Sequence, residues 1–464
     1  MNSVITDLQL HSRYARAVSS QMVIPQMALW AKKKGIKLLA TGDWTHPLWL
    51  KELQMHLKED GSGILTLVND PENTQVNFLL SGEVSCIYSQ GGKLRRIHTL
   101  IFAPDFVTVT KINTELTRRG CNLMSDGRPI IGLTSIQLCE VVFNVNPDCL
   151  VIPAHCWTPW FSLFGSMSGF DSIAEAFGSY ASQVFAIETG LSSNPAMNWR
   201  IKELDNRSIV SFSDAHSGPK LGREATVFNL ENLSYKAIRE AIMEPSIKQQ
   251  VLSIKGEKAE PLNTGYLPLN TISYTIEFYP EEGKYHFTGH RNCNVRQTPE
   301  ETKKYGSVCP TCGKSLTVGV MHRVEELAGR TEGDLRLNKK EINGIPILGF
   351  YSELFPQRPP YVMLVPLQEI IAEAVGAQVN TEKVQSEFNK LINSLGSEFE
   401  VLINCDVREI ASIAGEKIAE GVEKVRKGDI VIEPGYDGVF GVVKIWNEKE
   451  ETIIDESKKQ LSLF

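Results

Sequence analysis

The sequence lacks several features that define other classes of protein. Residues 1–10 show neither a basic start nor a long apolar segment, so we expect no secretory signal and a cytoplasmic location. No apolar run approaches the ~20 residues that span a bilayer, so no membrane partner is expected. A glycine-rich phosphate loop of the Walker type is also missing, which predicts no nucleotide cofactor.

Strong positive charge is absent too. The formal net charge of −7 excludes a general nucleic-acid binder, so any contact with DNA requires a local basic surface. The nine cysteines are odd in number and mostly isolated in apolar segments, which is typical of reduced cytosolic thiols. A chain of 464 residues has room for two to four domains, each with its own core.

The segment 209–217 carries Asp214 and His216 after an apolar, strand-like run. Alternate residues of a strand point the same way, so this carboxylate and this imidazole could share a metal ion. A strand-end aspartate also commonly caps the next helix, so the pair alone leaves both interpretations open.

Other strand-like segments end in similar residues. The segments are 4–10 before His11, 37–40 before Asp43, 77–81 before Glu83, 95–102 with His98, 149–153 before His155, and 184–187 before Glu188. Helices are predicted between strands, for example at 25–35 and 47–58, whereas His56 is read as helix surface. This alternation predicts an α/β fold with parallel strands, arranged as a barrel that carries its chemistry at the carboxyl ends of the strands.

Six short motifs then resemble the PHP (polymerase and histidinol phosphatase) superfamily in type and order. They are Asp7-Leu8-Gln9-Leu10-His11-Ser12, Thr41-Gly42-Asp43, Gly82-Glu83, His98, Pro153-Ala154-His155 and Ser213-Asp214-Ala215-His216. The resemblance implies a distorted (βα)7-like barrel over residues 1–255, with zinc, manganese or magnesium ions that hydrolyse phosphoester bonds. The family usually opens with His-x-His, so Gln9 predicts that one cation site is weakened.

The resemblance also implies which residues do the work. The implied metal ligands are His11, Asp43, Glu83, His98, His155, Glu188, Asp214 and His216, and the implied catalytic residues are Asp214, His155, Glu83 and Glu188. Glu83 would bridge two cations that activate a water molecule. Whether His155 and Asp214 ligate metal or transfer protons stays open at this stage.

A second metal site is predicted between residues 256 and 345. His290 and Cys293, followed by Cys309 and Cys312, have the spacing of a structural zinc site. The segment 284–340 holds eleven basic residues against six acidic ones, which favours contacts with DNA phosphates, although a solvated surface would look similar. The candidate DNA-binding residues are Arg291, Arg296, Lys303, Lys304 and Arg323.

Barrel, zinc module and the segment 322–328 together resemble the endonuclease Q family, and the similarity extends through 366–371 and 434–438. It implies a nick 5′ of deaminated bases (uracil, hypoxanthine, xanthine) and of abasic sites, in DNA whose damaged base is flipped out. Trp157, Trp160, Phe161 and Phe164 are candidates to line the base pocket, but core packing would explain them equally well.

Residues 346–448 are predicted to form an accessory region of helices at 366–375, 381–395 and 410–427, with a hairpin at 435–441. The charged tail 449–464 ends in Gln460-Leu461-Ser462-Leu463-Phe464. This peptide resembles those that dock on the bacterial sliding clamp, where Gln460, Leu461, Leu463 and Phe464 would make the contacts. A frayed terminus is the alternative.

Two other classes of function fit parts of the pattern. A small-molecule phosphatase of the histidinol phosphate type would use the same barrel, but would need neither the zinc module nor the tail. A non-catalytic DNA-binding adaptor would be consistent with Gln9, but not with the remaining eight candidate ligands. Activity on a free phosphomonoester would favour the first, and DNA binding without nicking would favour the second.

Overall fold

The computed structural model describes residues 2–255, 270–342 and 344–447. Its α-helices are α1 (Ile24–Lys34), α2 (Pro47–His56), α3 (Phe106–Arg118), α4 (Ser135–Val145), α5 (Ile173–Phe177), α6 (Pro195–Trp199), α7 (Tyr235–Lys255), α8 (Pro299–Tyr305), α9 (Val320–Leu327), α10 (Leu367–Val375), α11 (Glu382–Leu395), α12 (Val407–Ala414) and α13 (Glu416–Lys427). Among the described residues, no helix combines the length and apolar character needed to cross a lipid bilayer.

The strands are short apart from one central pair. They are β1 (Asn2–Asp7), β2 (Leu38–Ala40), β3 (Leu57–Glu59), β4 (Leu65–Leu67), β5 (Asn77–Gln90), β6 (Lys93–Ala103), β7 (Ile130–Ile131), β8 (Leu150–Pro153), β9 (Ala186–Glu188), β10 (Ser208–Val210), β11 (Ala225–Leu230), β12 (Thr271–Glu277), β13 (Thr288–His290), β14 (Val295–Gln297), β15 (Leu337–Ile342), β16 (Ile345–Ser352), β17 (Tyr361–Met363), β18 (Val431–Glu433) and β19 (Val442–Lys444). The fold is therefore mixed α/β, as predicted.

The first strands follow the predicted alternation of strand and helix. Strand β1 lies parallel to β2, and β2 lies parallel to β5, with α1 and α2 in the connections. Helix α1 has a proline in its first turn, lysines in its last turn and Gly35 as its C-cap at φ 87°. Gly35 therefore supplies the left-handed conformation that ends this helix.

Strands β5 and β6 depart from the predicted parallel arrangement. They form one antiparallel hairpin, paired from Leu80 with Ala103 to Gln90 with Lys93. The turn is Gly91-Gly92, both with positive φ, which is the chemistry of a two-residue hairpin turn. The expectation of parallel strands is thus wrong for β5 and β6, because the two-glycine turn joins them directly, without the helix that usually connects parallel strands.

Glu83 was expected just after a strand that ends at residue 81, but it lies within β5. Strand β6 continues antiparallel to β8, while β9 and β10 pair in parallel. Backbone hydrogen bonds of 3.1 Å from Cys156 N to Glu188 O and of 3.0 Å from His11 N to Ala215 O link the segments after these strands. The ends of five strands, β1, β2, β8, β9 and β10, thereby meet the interiors of β5 and β6 in one region.

The apolar side chains between these strands form a common core. Residues from β2, β5, β6, β8, β9 and β10 pack with Leu8 and Phe212 in one buried cluster. The members from the six strands are Leu38, Leu79, Leu100, Phe102, Leu150, Ile152, Ala186 and Val210. This core holds the strand ends in fixed relative positions.

The sheet continues beyond the strands that surround the site. Strand β11 is antiparallel to β1, β12 is antiparallel to β11, and β12 is parallel to β17. Strands β16 and β15 complete this side of the sheet. Strands β12, β15, β16 and β17, all downstream of residue 270, therefore extend the same sheet as the first strands.

Residues 346–447 contain mainly helices, as expected, and they pack on α1. Lys34 Nζ lies 2.6 Å from a carboxylate oxygen of Glu398, and both side chains are buried. The helix predicted over 410–427 is two helices, because Gly415 takes φ 90° between α12 and α13. The predicted turn at Asp437-Gly438 is confirmed, since both residues have positive φ and Tyr436 pairs with Val439.

Candidate active site and metal centres

The predicted ligands of the first site converge although they lie far apart in sequence. They come from the segments after β1, β2, β8 and β10, from the last residue of β9, and from within β5 and β6. The residues brought together are Gln9, His11, Asp43, Glu83, His98, His155, Glu188, Asp214 and His216. We call this set the cluster.

Glu83 lies at the centre of the cluster. Its Oε1 atom is 2.6 Å from His98 Nδ1 and 3.6 Å from His155 Nε2, and its Oε2 atom is 3.3 Å from His11 Nε2. Burial alone would raise the pKa of Glu83, but Arg128 and the neighbouring imidazoles lower it well below its usual range. Glu83 therefore stays ionised and faces ligands on two sides, as a bridging carboxylate requires.

Asp43 contacts His11 instead of the centre of the cluster. One carboxylate oxygen accepts from His11 Nδ1 at 2.8 Å, and the other accepts from Ser12 N at 2.5 Å and Ser12 Oγ at 2.7 Å. A carboxylate on one ring nitrogen fixes the orientation of a metal-binding histidine. Asp43 is thus placed to orient His11, with both of its oxygens already engaged.

The electrostatics favour a positive charge at His11 Nε2. Burial would lower the pKa of His11, but Asp43, Asp214 and Glu83 raise it well above its usual 6.5. A proton or a metal cation can supply that charge. The Nε2 atom lies 3.2 Å from Asp214 Oδ1, so an ion there would contact both residues.

Two groups of three ligand atoms form within the cluster. His11, Asp214 and His216 make one group and Glu83, His98 and His155 the other, with the ligand atoms of each group within 4.8 Å of one another. Such mixtures of imidazole and carboxylate suit zinc and manganese. The arrangement therefore fits two cation positions that lie side by side.

Unsatisfied atoms at the cluster also fit bound cations. In the described part of the chain, two buried oxygens here have no hydrogen-bond partner: Gln9 Oε1 and Glu188 Oε1. Buried polar atoms without partners are costly, and a cation would satisfy them. The donors present thus agree with the metal site that the sequence predicts.

Gln9 and Glu188 occupy supporting positions. Gln9 is buried and donates from Nε2 to Glu83 Oε2 at 2.8 Å. Glu188 accepts from the backbone N–H of His155 at 2.6 Å, and burial raises its pKa well above the usual value. Gln9 therefore bonds to the central carboxylate where the family usually offers an imidazole, and Glu188 fixes the backbone of His155.

A tenth residue, Arg128, reaches the cluster and was not predicted from the sequence. Arg128 Nη1 lies 3.3 Å from His11 Nε2 and 3.4 Å from Glu83 Oε1, and 26% of its side chain is exposed. It follows Asp126-Gly127, a turn signal outside any predicted strand end. The predicted site residues lie in or just after strands, so the sequence offered no signal for an arginine in a loop.

The second predicted metal site is also assembled. The ligand atoms of His290, Cys293, Cys309 and Cys312 lie within 4.8 Å of one another. Burial would raise the pKa of the Cys309 thiol, but the backbone N–H groups of Cys312 and Thr311 lower it to about 6. A thiolate stabilised by backbone amides in a Cys₃His set is the chemistry of a structural zinc site.

The candidate base-pocket residues separate into two pairs. Trp157 is fully buried and donates from Nε1 to Asn198 at 2.7 Å, and Phe164 is also fully buried. Trp160 and Phe161 are partly exposed, and the Phe161 ring lies 4.9 Å from the His98 ring. In this conformation only the second pair can meet a base beside the cluster.

The candidate DNA-binding residues also differ among themselves. Arg291, Arg296, Lys303 and Lys304 are exposed. Arg323 instead donates to the backbone oxygens of Phe164 and Phe170 at 3.0 and 3.2 Å, and its side chain is only 13% exposed. Arg323 therefore joins the zinc module to the loop after His155, whereas the other four are exposed on the surface.

Two solved structures resemble this chain over most of its length. The crystal structure of the lesion-specific endonuclease PfuEndoQ from Pyrococcus furiosus matches with a TM-score of 0.77 and 30% identity, over 96% of each chain. A structure of Endonuclease Q with a 27-mer duplex that has an abasic lesion at its active site matches with a TM-score of 0.75 and 31% identity, over 96% of this chain and 98% of that one. Fold and cluster thus define a mixed α/β protein of the metal-binding nuclease class.

Within that class, the chain belongs to the endonuclease Q family. The uncharacterized protein YqxK of Bacillus subtilis is 26% identical over 96% of this chain and all of its own length. The uncharacterized protein MJ0043 of Methanocaldococcus jannaschii is 34% identical over 66% of this chain, which spans only 34% of that relative. Residues 366–429 match the family described as the MJ0043 C-terminal domain.

Proposed function

We propose that this protein is a metal-dependent DNA repair endonuclease that cuts the phosphodiester bond 5′ of a deaminated base (uracil, hypoxanthine or xanthine) or of an abasic site. The observation that carries the proposal is the convergence of imidazoles and carboxylates from five strands into two neighbouring three-ligand groups. The whole-chain match to Endonuclease Q structures supports DNA as the substrate. A phosphatase for small molecules would not need the second, Cys₃His site.

The cluster residues divide the work. His11, Asp214 and His216 would hold one cation, and Glu83, His98 and His155 would hold the other. Bound cations would supply water activation and charge neutralisation at the phosphate. Asp43 keeps the imidazole of His11 turned with Nε2 toward the cluster, and Glu188 holds the backbone at His155. Burial alone would raise the pKa of Asp214, but the hydrogen bond with His11 and the charge of His11 lower it well below its usual range, so the carboxylate stays ionised, as a metal ligand requires.

Selection of the lesion would depend on a base that has left the stack. Trp160 and Phe161 lie after His155, and the Phe161 ring contacts the His98 ring at 4.9 Å. Aromatic faces bind an extruded base by stacking. We therefore assign the base pocket to Trp160 and Phe161, without the buried Trp157 and Phe164.

The zinc module would bind the flanking duplex. Arg291, Arg296, Lys303 and Lys304 are exposed near the Cys₃His site, and contacts of this type position a protein on phosphates without reading sequence. The domain limits 256–345 and 346–448 remain predictions. We further propose that β1, β2, β5, β6, β8, β9 and β10 close into a distorted seven-stranded barrel, supported by the shared apolar core.

The proposal is tested by a nicking assay. A duplex with one deoxyuridine or one deoxyinosine is compared with a matched undamaged duplex, with and without chelator. We expect a cut 5′ of the lesion that requires divalent metal, and none in the undamaged strand. His98→Ala removes a ligand from the centre of the cluster, so it should abolish the cut.

The chain offers a matched control. His56 is the exposed last residue of α2 and makes no part of the cluster, so His56→Ala should cut as the wild type does. No lesion-dependent cut with zinc, manganese or magnesium would overturn the proposal. Hydrolysis of a phosphomonoester by the same preparation would then favour the phosphatase alternative.

A further inference from the structure

Arg128 is held in the cluster by the loop that carries it. Gly127 N donates to Tyr14 O at 3.0 Å, and Arg128 N donates to Asp126 Oδ1 at 3.1 Å. A Cβ atom at Gly127 would lie 2.4 Å from Asp43 Oδ2, so only glycine lets the loop pass this closely. The position of Arg128 is thus built into the site and does not depend on a freely moving surface chain.

The guanidinium faces atoms that a metal would bind. Its Nη1 atom lies 3.3 Å from His11 Nε2 and 3.4 Å from Glu83 Oε1, each of which belongs to one of the two three-ligand groups. Arginine stays protonated in proteins, so the group carries a permanent positive charge. A cation on those atoms would repel it and occupy its acceptors, which would leave its N–H donors to another anion.

The direction available to Arg128 is toward solvent. With 26% of its side chain exposed, it lies at the mouth of the cluster, where Asp214 and His216 are also partly exposed, while its acceptors on His11 and Glu83 are buried. A planar guanidinium donates two parallel hydrogen bonds to a phosphate, which an ammonium group cannot do. The chemistry of the anion that fits is therefore that of a phosphate beside the two cation positions.

We propose that Arg128 binds a non-bridging oxygen of the phosphate that is cut, as a further catalytic residue. This inference rests on the proposed endonuclease activity, because it names the group that contacts the substrate at the same site. Arg128 forms no covalent bond in this role. It adds one positive charge where negative charge increases as the leaving oxygen departs.

The test compares two lesion duplexes, one with the normal phosphate at the cut position and one with a neutral methylphosphonate there. Fluorescence anisotropy measures binding by wild type, Arg128→Ala, Arg128→Lys and the exposed control Arg118→Ala. We expect Arg128→Ala to weaken binding of the phosphate duplex by about 10- to 100-fold, since a charged hydrogen bond is lost. Binding of the methylphosphonate duplex, which keeps one neutral acceptor oxygen but no charge, should change much less.

Cutting and metal content complete the test. Arg128→Ala should lower the cutting rate on the normal duplex by about 100-fold or more, and Arg128→Lys should recover part of the loss. The metal content of each variant, measured by plasma mass spectrometry, should equal that of the wild type. Loss of bound metal, or equal weakening on both duplexes, would overturn the assignment. A wild type that binds but does not cut contradicts the proposed function, while the binding comparison still decides the role of Arg128.

Discussion

Asp43 keeps His11 in one orientation through a 2.8 Å hydrogen bond, and its other oxygen accepts two hydrogen bonds from Ser12. Supporting carboxylates of this kind affect metal affinity without binding the ion. The family resemblance implied Asp43 as a metal ligand, and its position after a strand does not distinguish a ligand from the group that orients one. This role depends on the contact between Asp43 and His11, which follow different strands and meet only in the folded chain.

The first prediction concerns this contact. Replacing Asp43 with alanine should lower the affinity of the cluster for zinc or manganese by about 10- to 100-fold, because His11 loses the group that orients its ring. Titration of the metal-free protein, followed by calorimetry, measures the change. Asp148→Ala, at an exposed position, should bind metal normally. An unchanged affinity in Asp43→Ala would show that His11 is held by other contacts.

The second prediction concerns a buried carboxylate outside the cluster. Burial raises the pKa of Glu277 from its usual 4.5 to about 7, although hydrogen bonds from Ser211 and Thr275 oppose the rise. Between those pH values the folded protein keeps a proton that the unfolded chain releases, so stability falls as pH rises. The fall from this group is at most about 3 kcal/mol.

Urea unfolding of wild type and Glu277→Gln between pH 4.5 and 8 checks this. The glutamine variant carries no titratable group at this position, so its stability should vary less with pH than that of the wild type. Both proteins contain the cluster, so its titration contributes to both stability curves and does not account for a difference between them. Parallel stability curves would contradict the raised pKa.

At the scale of elements, the buried ion pair between α1 and the C-terminal helices is the clearest test of packing. Lys34 and Glu398 are both buried with 2.6 Å between charged atoms, and Glu398 also accepts from the N–H of Leu367 at the start of α10. Lys34→Ala would leave that carboxylate buried and unpaired. We expect a loss of about 3–5 kcal/mol in the free energy of unfolding.

Chemical denaturation measures this loss, and Lys32→Ala supplies the control. Lys32 is exposed on the same helix and donates only to the backbone oxygen of Glu72, so its removal should change stability by less than about 0.5 kcal/mol. Equal effects of the two substitutions would mean that the ion pair contributes little beyond a surface contact.

Elements differed in how well the sequence predicted them. Helices with a proline start or a glycine end, such as α1 and α10, were located within one or two residues, because their signals are local. The hairpin of β5 and β6 was missed, although Gly91-Gly92 is a hairpin turn signal. The sequence was read as alternating strands and helices, and that pattern outweighed the glycine pair.

The candidate site was predicted more fully than the topology around it. Every predicted ligand lies in the cluster or the Cys₃His set, because the family motifs and the spacing of the cysteines mark these residues directly, and their binding of metal stays a prediction. Arg128 and the internal role of Arg323 were not visible. Both depend on which loop passes which strand end, and a single sequence does not contain that information.

At the scale of the whole molecule, we propose that the last residues bind a bacterial sliding clamp. Gln460, Leu461, Leu463 and Phe464 lie outside the described residues, so this remains a prediction from sequence. A chain that ends at residue 459 should cut short lesion duplexes at the wild-type rate but lose binding to the clamp, because the apolar side chains that would fill its pocket are gone.

Surface plasmon resonance on immobilised clamp measures the loss. A variant with Gln460 kept and Leu463 and Phe464 changed to alanine should behave like the truncation. Full binding by the truncated chain would contradict a role for this peptide. A drop in cutting of short duplexes would instead assign the tail to the nuclease itself.

Strand β12 pairs with β11 along the sheet. Two ion pairs also connect the first part of the chain to the zinc module: Arg200 with Glu325, and Asp205 with Arg330. The separation between the cluster and the Cys₃His site is therefore set by hydrogen bonds and ion pairs of the folded state. If both sites bind one duplex, the DNA has to bend to reach them, because the distance between the sites is fixed. Double helices already weakened by a mismatch or a missing base then bend at lower energetic cost, so the stiffness of the protein itself would help to distinguish damaged from intact DNA.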